Sequence, residues 1–205
     1  MPIALQSNAL VTLELAKLYL KIPALETTQD DIVTFWINAS SDRIEQETRR
    51  KLKAQSFTEF HHGRSSNIIL LKQFPVSSSP FPQVFIDGSS DFGSETEVDS
   101  DSIRLADDSN SLVLLGQRFP SGYQNIKVIY TAGFSTVPSD LQNAALWMIT
   151  WYHKAREGGD IGRESKSKGD ETISFLQKAP SDIKDAILAY TRTEFPNISA
   201  PVRNG

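Results

Sequence analysis

The sequence predicts an α+β protein: a helical bundle built from the two ends of the chain, with a small antiparallel β-module inserted between them and an extended C-terminal arm. Three observations predict it. Apolar residues recur at three- and four-residue steps before residue 54 and again after residue 138, the spacing of a single helical face. Between these regions FTEFHH, NIILLK, QVFID, SLVLL and IKVIY are short β-rich segments parted by Gly, Pro, Ser and Asp. The stretch Ile126 to Arg156, IKVIYTAGFSTVPSDLQNAALWMITWYHKAR, reads as strand, sharp turn and helix, and so joins the two regimes. One domain over 1–205 is expected, with N-terminal helices in 1–54, the β-module in 55–134, central and C-terminal helices in 135–194 and the arm in 195–205.

In chain order, Thr12 is placed to cap a helix over LELAKLYL, with Leu13, Ala16 and Leu20 on one face, Lys17 turned away and Pro23 ending it. Thr28 and Asp31 form a capping-box-like pair for a second helix, whose apolar patch is Ile32, Phe35, Trp36 and Ala39, with Val33, Ile37, Ile44 and Leu52 continuing nearby. Beyond Ser41 the run DRIEQETRRKLK is charged, with Glu45 four residues before Arg49 and Glu47 four before Lys51. That half is expected to be solvated or to face a partner. Prolines 75, 80 and 82 are unsuited to a central strand and mark turns or edges.

From Ser89 to Asp108 the composition turns acidic. Asp91, Glu95, Glu97, Asp99, Asp101, Asp107 and Asp108 face only Arg104, a local charge of −6 against −4 for the whole chain. A long acidic hairpin or loop is expected there. In the central stretch Gly133 supplies a permissive turn, Pro138 suits a first helical position, and Asp140 places negative charge at the positive end of the helix dipole. Leu141, Ala144, Ala145, Met148, Trp151, Tyr152 and Ala155 then make one broad apolar face. EGGDIGRESKSKGDE has neither hydrophobic period and reads as a linker. Pro180 opens a last helix with Ile183, Ala186, Ile187 and Tyr190 on its face, and Phe195 and Pro196 stop it.

Composition narrows the function. Hydrophobic residues are 39% and charged residues 22% of the 205, ordinary globular usage. No apolar run approaches the ~20 residues of a membrane span, and MPIALQSNAL lacks the regions of a signal peptide, so neither a membrane partner nor secretion by that route is expected. Cysteine is absent, which excludes disulfides, thiolate metal sites and a cysteine nucleophile. A net charge of −4 and a pI near 5.4 argue against a general affinity for nucleic-acid phosphates.

Motifs for chemistry are sparse. His61 and His62 are adjacent on a strand and point to opposite faces, which is poor metal-ligand spacing. His153 reads as a helix-surface residue with no serine nucleophile in a recognisable turn nearby. Asp99, Asp101, Asp107 and Asp108 lack the glycine and distal glutamate of a calcium loop, and the glycines at 158, 159 and 162 precede no Gly-Lys-Ser/Thr. No catalytic residue, cofactor or metal is expected. Two alternatives stay open: a metal-dependent hydrolase or nuclease using the acidic cluster, and a small DNA-binding accessory factor using Arg49, Arg50, Lys51 and Lys53.

Four pieces, in order along most of the chain, resemble the head-tail connector, or adaptor, proteins of long-tailed bacteriophages and prophages. They are VTLELAKLYLKI with QDDIVTFWINASSDRIE; FPVSSSPFPQVFID; IKVIYTAGFSTVPSDLQNAALWMITWYHKAR; and GDETISFLQKAPSDIKDAILAYTR. The third is the most telling, a strand ending in Tyr-Thr-Ala-Gly-Phe followed by Val-Pro, Asp-Leu and an Ala-rich helix. The acidic insertion at 89–108 departs from the compact members. The resemblance implies a non-enzymatic virion neck protein, assembled in the host cytoplasm as a dodecameric ring beneath the portal protein. Such a ring extends the channel for double-stranded DNA without binding it specifically and gives a platform to the next head-completion, stopper or tail component. Gly133, Pro138, Asp140 and Leu141 read from the residues themselves as a structural joint where the β-module returns to the helices. The acidic residues then face the channel or a neck neighbour, and an arm with Phe195, Pro196, Ile198, Pro201, Val202 and Arg203 reaches the portal.

Overall fold

The computed structural model describes residues 2–106, 110–157 and 179–192. Among them are four helices, α1 (Leu13–Leu20), α2 (Asp30–Thr48), α3 (Ser139–Glu157) and α4 (Ser181–Ala189), and six strands. The strands are β1 (Gln55–Gly63), β2 (Ile68–Leu70), β3 (Gln83–Ile86), β4 (Ile103–Leu105), β5 (Ser111–Leu114) and β6 (Gly122–Ala132). The class is α+β, with two small three-stranded antiparallel sheets ordered β1-β6-β3 and β2-β5-β4.

The helices share one apolar core. Val33, Trp36, Ile37 and Ile44 of α2 meet Leu141, Ala144, Ala145, Met148 and Ile149 of α3 and Ile183 and Ile187 of α4. Thr12 caps α1 as expected, its hydroxyl accepting from the Leu15 amide at 3.2 Å. Lys17 differs from expectation. It is 5% exposed, and its ammonium donates to the Ala24 and Glu26 carbonyls and to Asp30 Oδ1 at 2.7 Å. The chain after α1 curls back over the lysine, so three acceptors replace the water it leaves.

The start of α2 differs too. Gln29 occupies the cap without a side-chain bond, Thr28 pairs with Glu26, and Asp31 instead accepts from the Ile3 amide at 2.8 Å. That last bond belongs to an N-terminal strap along α2, continued by Gln6 and Ala4 on Asn38 and by Leu10 on Ser41. Phe35, expected in the apolar patch, is exposed, because the strap and α3 take the other faces.

The β-region is two sheets packed face to face, in place of one sheet or barrel. Val84, Ile126, Val128, Tyr130 and Ala132 of the first bury against Ile69, Ile103, Leu112 and Leu114 of the second. Strand periodicity is clean in β6, where Ile126, Val128, Tyr130 and Ala132 are buried and Lys127, Ile129 and Thr131 are half-buried. None of the six described strands contains a proline; Phe74-Pro75 and Ser79-Pro80 are cis peptides in the connection from β2 to β3. The acidic stretch is more ordered than a loop. It forms two single-turn 3₁₀ segments, 94–96 and 100–102, and then β4, which pairs with β5 through the buried Ile103.

Candidate functional site

The most tightly specified region is the junction where the strands return to the helices. β6 ends at Ala132, and Gly133 follows at φ +105°, a conformation side chains rarely adopt. A Cβ there would lie 2.6 Å from both the carbonyl carbon and oxygen of Lys53. The close approach lets the chain after α2 run alongside: the Gly133 amide donates to the Pro75 carbonyl at 3.0 Å, Phe134 to Leu52 at 2.7 Å, and Ala54 to Phe134 at 3.1 Å.

Pro138 caps α3 rather than opening it. The helix begins at Ser139, and the Pro138 carbonyl accepts from the Gln142 amide at 3.0 Å. Asp140 lies in the first turn, where its carboxylate accepts from the Leu141 amide at 2.9 Å and from the Tyr190 hydroxyl at 2.9 Å. Leu141 is fully buried. Gly133, Pro138, Asp140 and Leu141 thus lie along the connection from β6 into the first turn of α3, and Tyr190 ties the start of α3 to the end of α4.

Arg50 sits at the centre. It is 4% exposed, its guanidinium carbon is 4.0 Å from the Phe74 ring centroid, 5.5 Å from Phe134 and 5.8 Å from Tyr190, and one terminal nitrogen donates to the Phe74 carbonyl at 2.9 Å. Desolvation pulls its pKa down to about 10, and the Tyr190 hydroxyl works in the opposite direction. Burial pushes Tyr190 up, and Asp140 adds to the shift. Sequence reasoning missed this cluster. Its members stand 24 to 140 residues apart, and Arg50 is hidden in a charged run whose local spacing carries no sign of burial.

That charged run is only partly wet. Glu45 is buried and binds Lys51 Nζ at 2.6 Å, the Leu52 amide at 3.1 Å and Asn8 at 3.0 Å. The left-handed Arg49 (φ 55°) ends α2, so the expected Glu47–Lys51 spacing falls off the helix, and Glu47 pairs with Arg43 at 2.6 Å instead. Arg49, Arg50, Lys51 and Lys53 are therefore no shared basic face. Arg50 points inward, Lys51 is held by Glu45, and Lys53 bridges to Phe134 through its backbone.

Within the acidic stretch Asp91, Glu95, Glu97, Asp99 and Asp101 are exposed. Glu97 accepts from Gln83 at 3.0 Å, and Asp99 caps the second 3₁₀ turn. Asp107 and Asp108 lie outside the described residues, as do all of the expected linker after Glu157 and Phe195, Pro196, Ile198, Pro201, Val202 and Arg203. Among the described residues no group of three His, Cys, Asp or Glu is placed to hold a metal. His61 Nε2 is 3.0 Å from Glu59 but outside hydrogen-bond geometry, His62 accepts from the Gln124 amide at 2.9 Å, and His153 packs edge-on against Trp36. No described helix is long and apolar enough to cross a membrane.

A second buried polar set lies within the sheets. Burial pushes the Glu59 carboxyl up, yet the His61 imidazole, the Tyr130 hydroxyl and the Lys72 amide outweigh it and hold Glu59 below the usual carboxylate value. Both sets are built for rigidity. A cation enclosed by rings and a carboxylate held by a phenol fix the geometry of their elements.

Comparisons with known proteins agree with that character. The sequence profile of the head completion protein family matches residues 9–193. Similar folds occur in three solved particle structures. The neck of an empty gene transfer agent particle computed with C6 symmetry contains a chain with TM-score 0.61 and 16% identity, the match covering 96% of this chain and 97% of that one. The virion of the native gene transfer agent particle contains one with TM-score 0.60 and 16% identity over 96% and 97%. The neck of the native particle computed with C12 symmetry contains one with TM-score 0.56 and 17% identity over 95% of each. Among curated proteins none matches. With 185 of its 205 residues inside the profile, the chain belongs to the head completion protein family, structural components of phage-like particles.

Proposed function

We propose that copies of this protein form a closed ring in the neck of a phage-like particle, a dodecamer beneath the portal, extending the DNA channel and presenting a platform to the next neck or tail component. Family membership over residues 9–193 is the observation that carries this reading. The C6 and C12 symmetries of the necks that hold similar folds support a cyclic arrangement. Duplex DNA passes through the lumen without specific binding, in keeping with the negative net charge and the absence of a common basic face at Arg49–Lys53.

In this reading the whole chain, 1–205, acts as one connector domain, a helical bundle with the β-module inserted at 55–134. Gly133, Pro138, Asp140 and Leu141 are the joint that keeps the two parts rigid under the load of a packaged head. The exposed acids between Asp91 and Asp101 are available to the channel or to a neighbour. The arm at 195–205 reaches the portal through Phe195, Pro196, Ile198, Pro201, Val202 and Arg203.

The mass of the purified chain, alone and mixed with portal particles, tests the ring. Defined cyclic assembly, alone or on the portal, is expected; a chain that stays monomeric and unbound in both cases contradicts it. Deleting residues 195–205 is expected to abolish portal binding, and unchanged binding would remove the arm from the account.

A further inference from the structure

The two sheets bury their inner faces against each other, so their outer faces lie on opposite sides of one module. Both outer faces are apolar at their centre. On the first sheet Phe60, Lys127 and Phe85 stand side by side across β1, β6 and β3, next to the row Thr58, Ile129 and Gln83. Phe60 is 49% exposed and packs on Phe92 with ring centroids 5.5 Å apart, while Lys127 Nζ lies 5.0 Å from the Phe85 centroid. On the second sheet Ile68, Val113 and Arg104 form the row across β2, β5 and β4. Ile68 and Leu70 are 47% and 44% exposed, and Leu115, on the same side as Val113, is 39% exposed.

The sandwich itself does not account for these residues. An antiparallel sheet with one face in water alternates apolar inward with polar outward, as Ser56 and Thr58 do at one end of β1. At the centre of both outer faces large apolar side chains replace the polar ones, and contiguous apolar surface marks a contact. The two faces also differ in charge. Asp91 adjoins Phe92, and Glu97 accepts from Gln83 at 3.0 Å, which gives the first face an acidic rim. The second face instead carries the exposed Arg104 within its central row.

Resting on the ring reading above, we infer that the outer face of the β1-β6-β3 sheet of one copy packs on the outer face of the β2-β5-β4 sheet of the next, so that the ring is a head-to-tail stack of β-modules. The occupant of each face is a second copy of this chain. A heterologous contact needs two unlike faces on one subunit, one for each neighbour, and it generates a closed ring when its rotation closes. Opposite sides of a single module supply that pair. A face meeting its own kind would give a two-fold dimer and bring two acidic rims together. In the stack the acidic rim of one copy faces Arg104 of the next, and Phe60, backed by Phe92, is the aromatic anchor against Ile68 and Leu115.

The chain has no cysteine, so introduced thiols report the contact without background. Full-length Phe60→Cys, Ile68→Cys and the double variant are each mixed with portal particles and treated with a short bismaleimide linker, after melting curves establish that they are folded. The double variant is expected to give a ladder of covalent multimers. Each single variant is expected to stay at the mass of one chain, because position 60 meets position 68 only across the contact. Phe60→Asp, and separately Ile68→Asp with Leu115→Asp, are expected to keep a wild-type melting curve and lose the oligomer by native mass. Linked dimers of a single variant, a double variant that assembles without linking, or folded aspartate variants that assemble as wild type does would each overturn the stack while leaving the ring reading intact. A wild-type chain that forms no oligomer even with portal would overturn the ring reading and the stack with it.

Discussion

The guanidinium carbon of Arg50 lies over Phe74, 4.0 Å from the ring centroid, and so locks the end of α2 to the connection between β2 and β3. Replacing it with alanine leaves the Phe74 carbonyl without its donor and opens a hole among three rings. A loss of about 2–4 kcal/mol is expected, measured by denaturant unfolding. Arg50→Lys keeps the charge but not the planar guanidinium with its several donors, and is expected to recover less than half of that loss. Full stability in Arg50→Ala would mean that the junction is held elsewhere.

At Gly133 the backbone and its neighbours exclude a side chain together. Valine would have to occupy φ +105° and push aside the Lys53 backbone. Strain of about 1–3 kcal/mol from the conformation alone, added to the clash, predicts a large fall in melting temperature or insoluble expression. A Gly133→Val protein that melts like wild type would remove this residue from the joint.

Lys17 is a buried ammonium whose three acceptors are all internal. Lys17→Met is expected to cost about 2–4 kcal/mol, because two carbonyls and Asp30 lose their donor while the methionine fills the space well. Chemical denaturation distinguishes this from a solvated lysine, for which the change would be within about 0.5 kcal/mol.

Glu59 gives the protein an acid limit. Its folded pKa is held below the usual 4.5, so the stability it contributes is present above that value and lost as pH falls through the folded pKa. Melting temperature is therefore expected to decline below about pH 4.5, and Glu59→Gln is expected to flatten that part of the profile. An unchanged acid limb in Glu59→Gln would assign the decline to other carboxylates.

Local structure was legible in the sequence wherever a single face decides it. Thr12 before an apolar helix, the alternation of β6, the Gly133 turn and the Leu141–Met148 face all follow from spacing, because burial there is set by the element's own period. Lys17, Glu45 and Arg50 show where that logic stops. Each is a charged residue buried by partners far along the chain, and only tertiary neighbours could pay the desolvation cost. β4 was hidden for a related reason: three residues set among carboxylates form a strand because Ile103 has β5 to pack beside. The left-handed turn at Gly133 could be read from turn chemistry, whereas the aromatic enclosure of Arg50 had no local signal.

The most direct test of the central claim is the density of the neck in intact particles imaged without imposed symmetry. The account predicts copies of this fold related by a cyclic axis around the DNA channel, between the head and the first tail component. A neck that lacks the fold, or holds it as isolated copies with no contact between them, would contradict it.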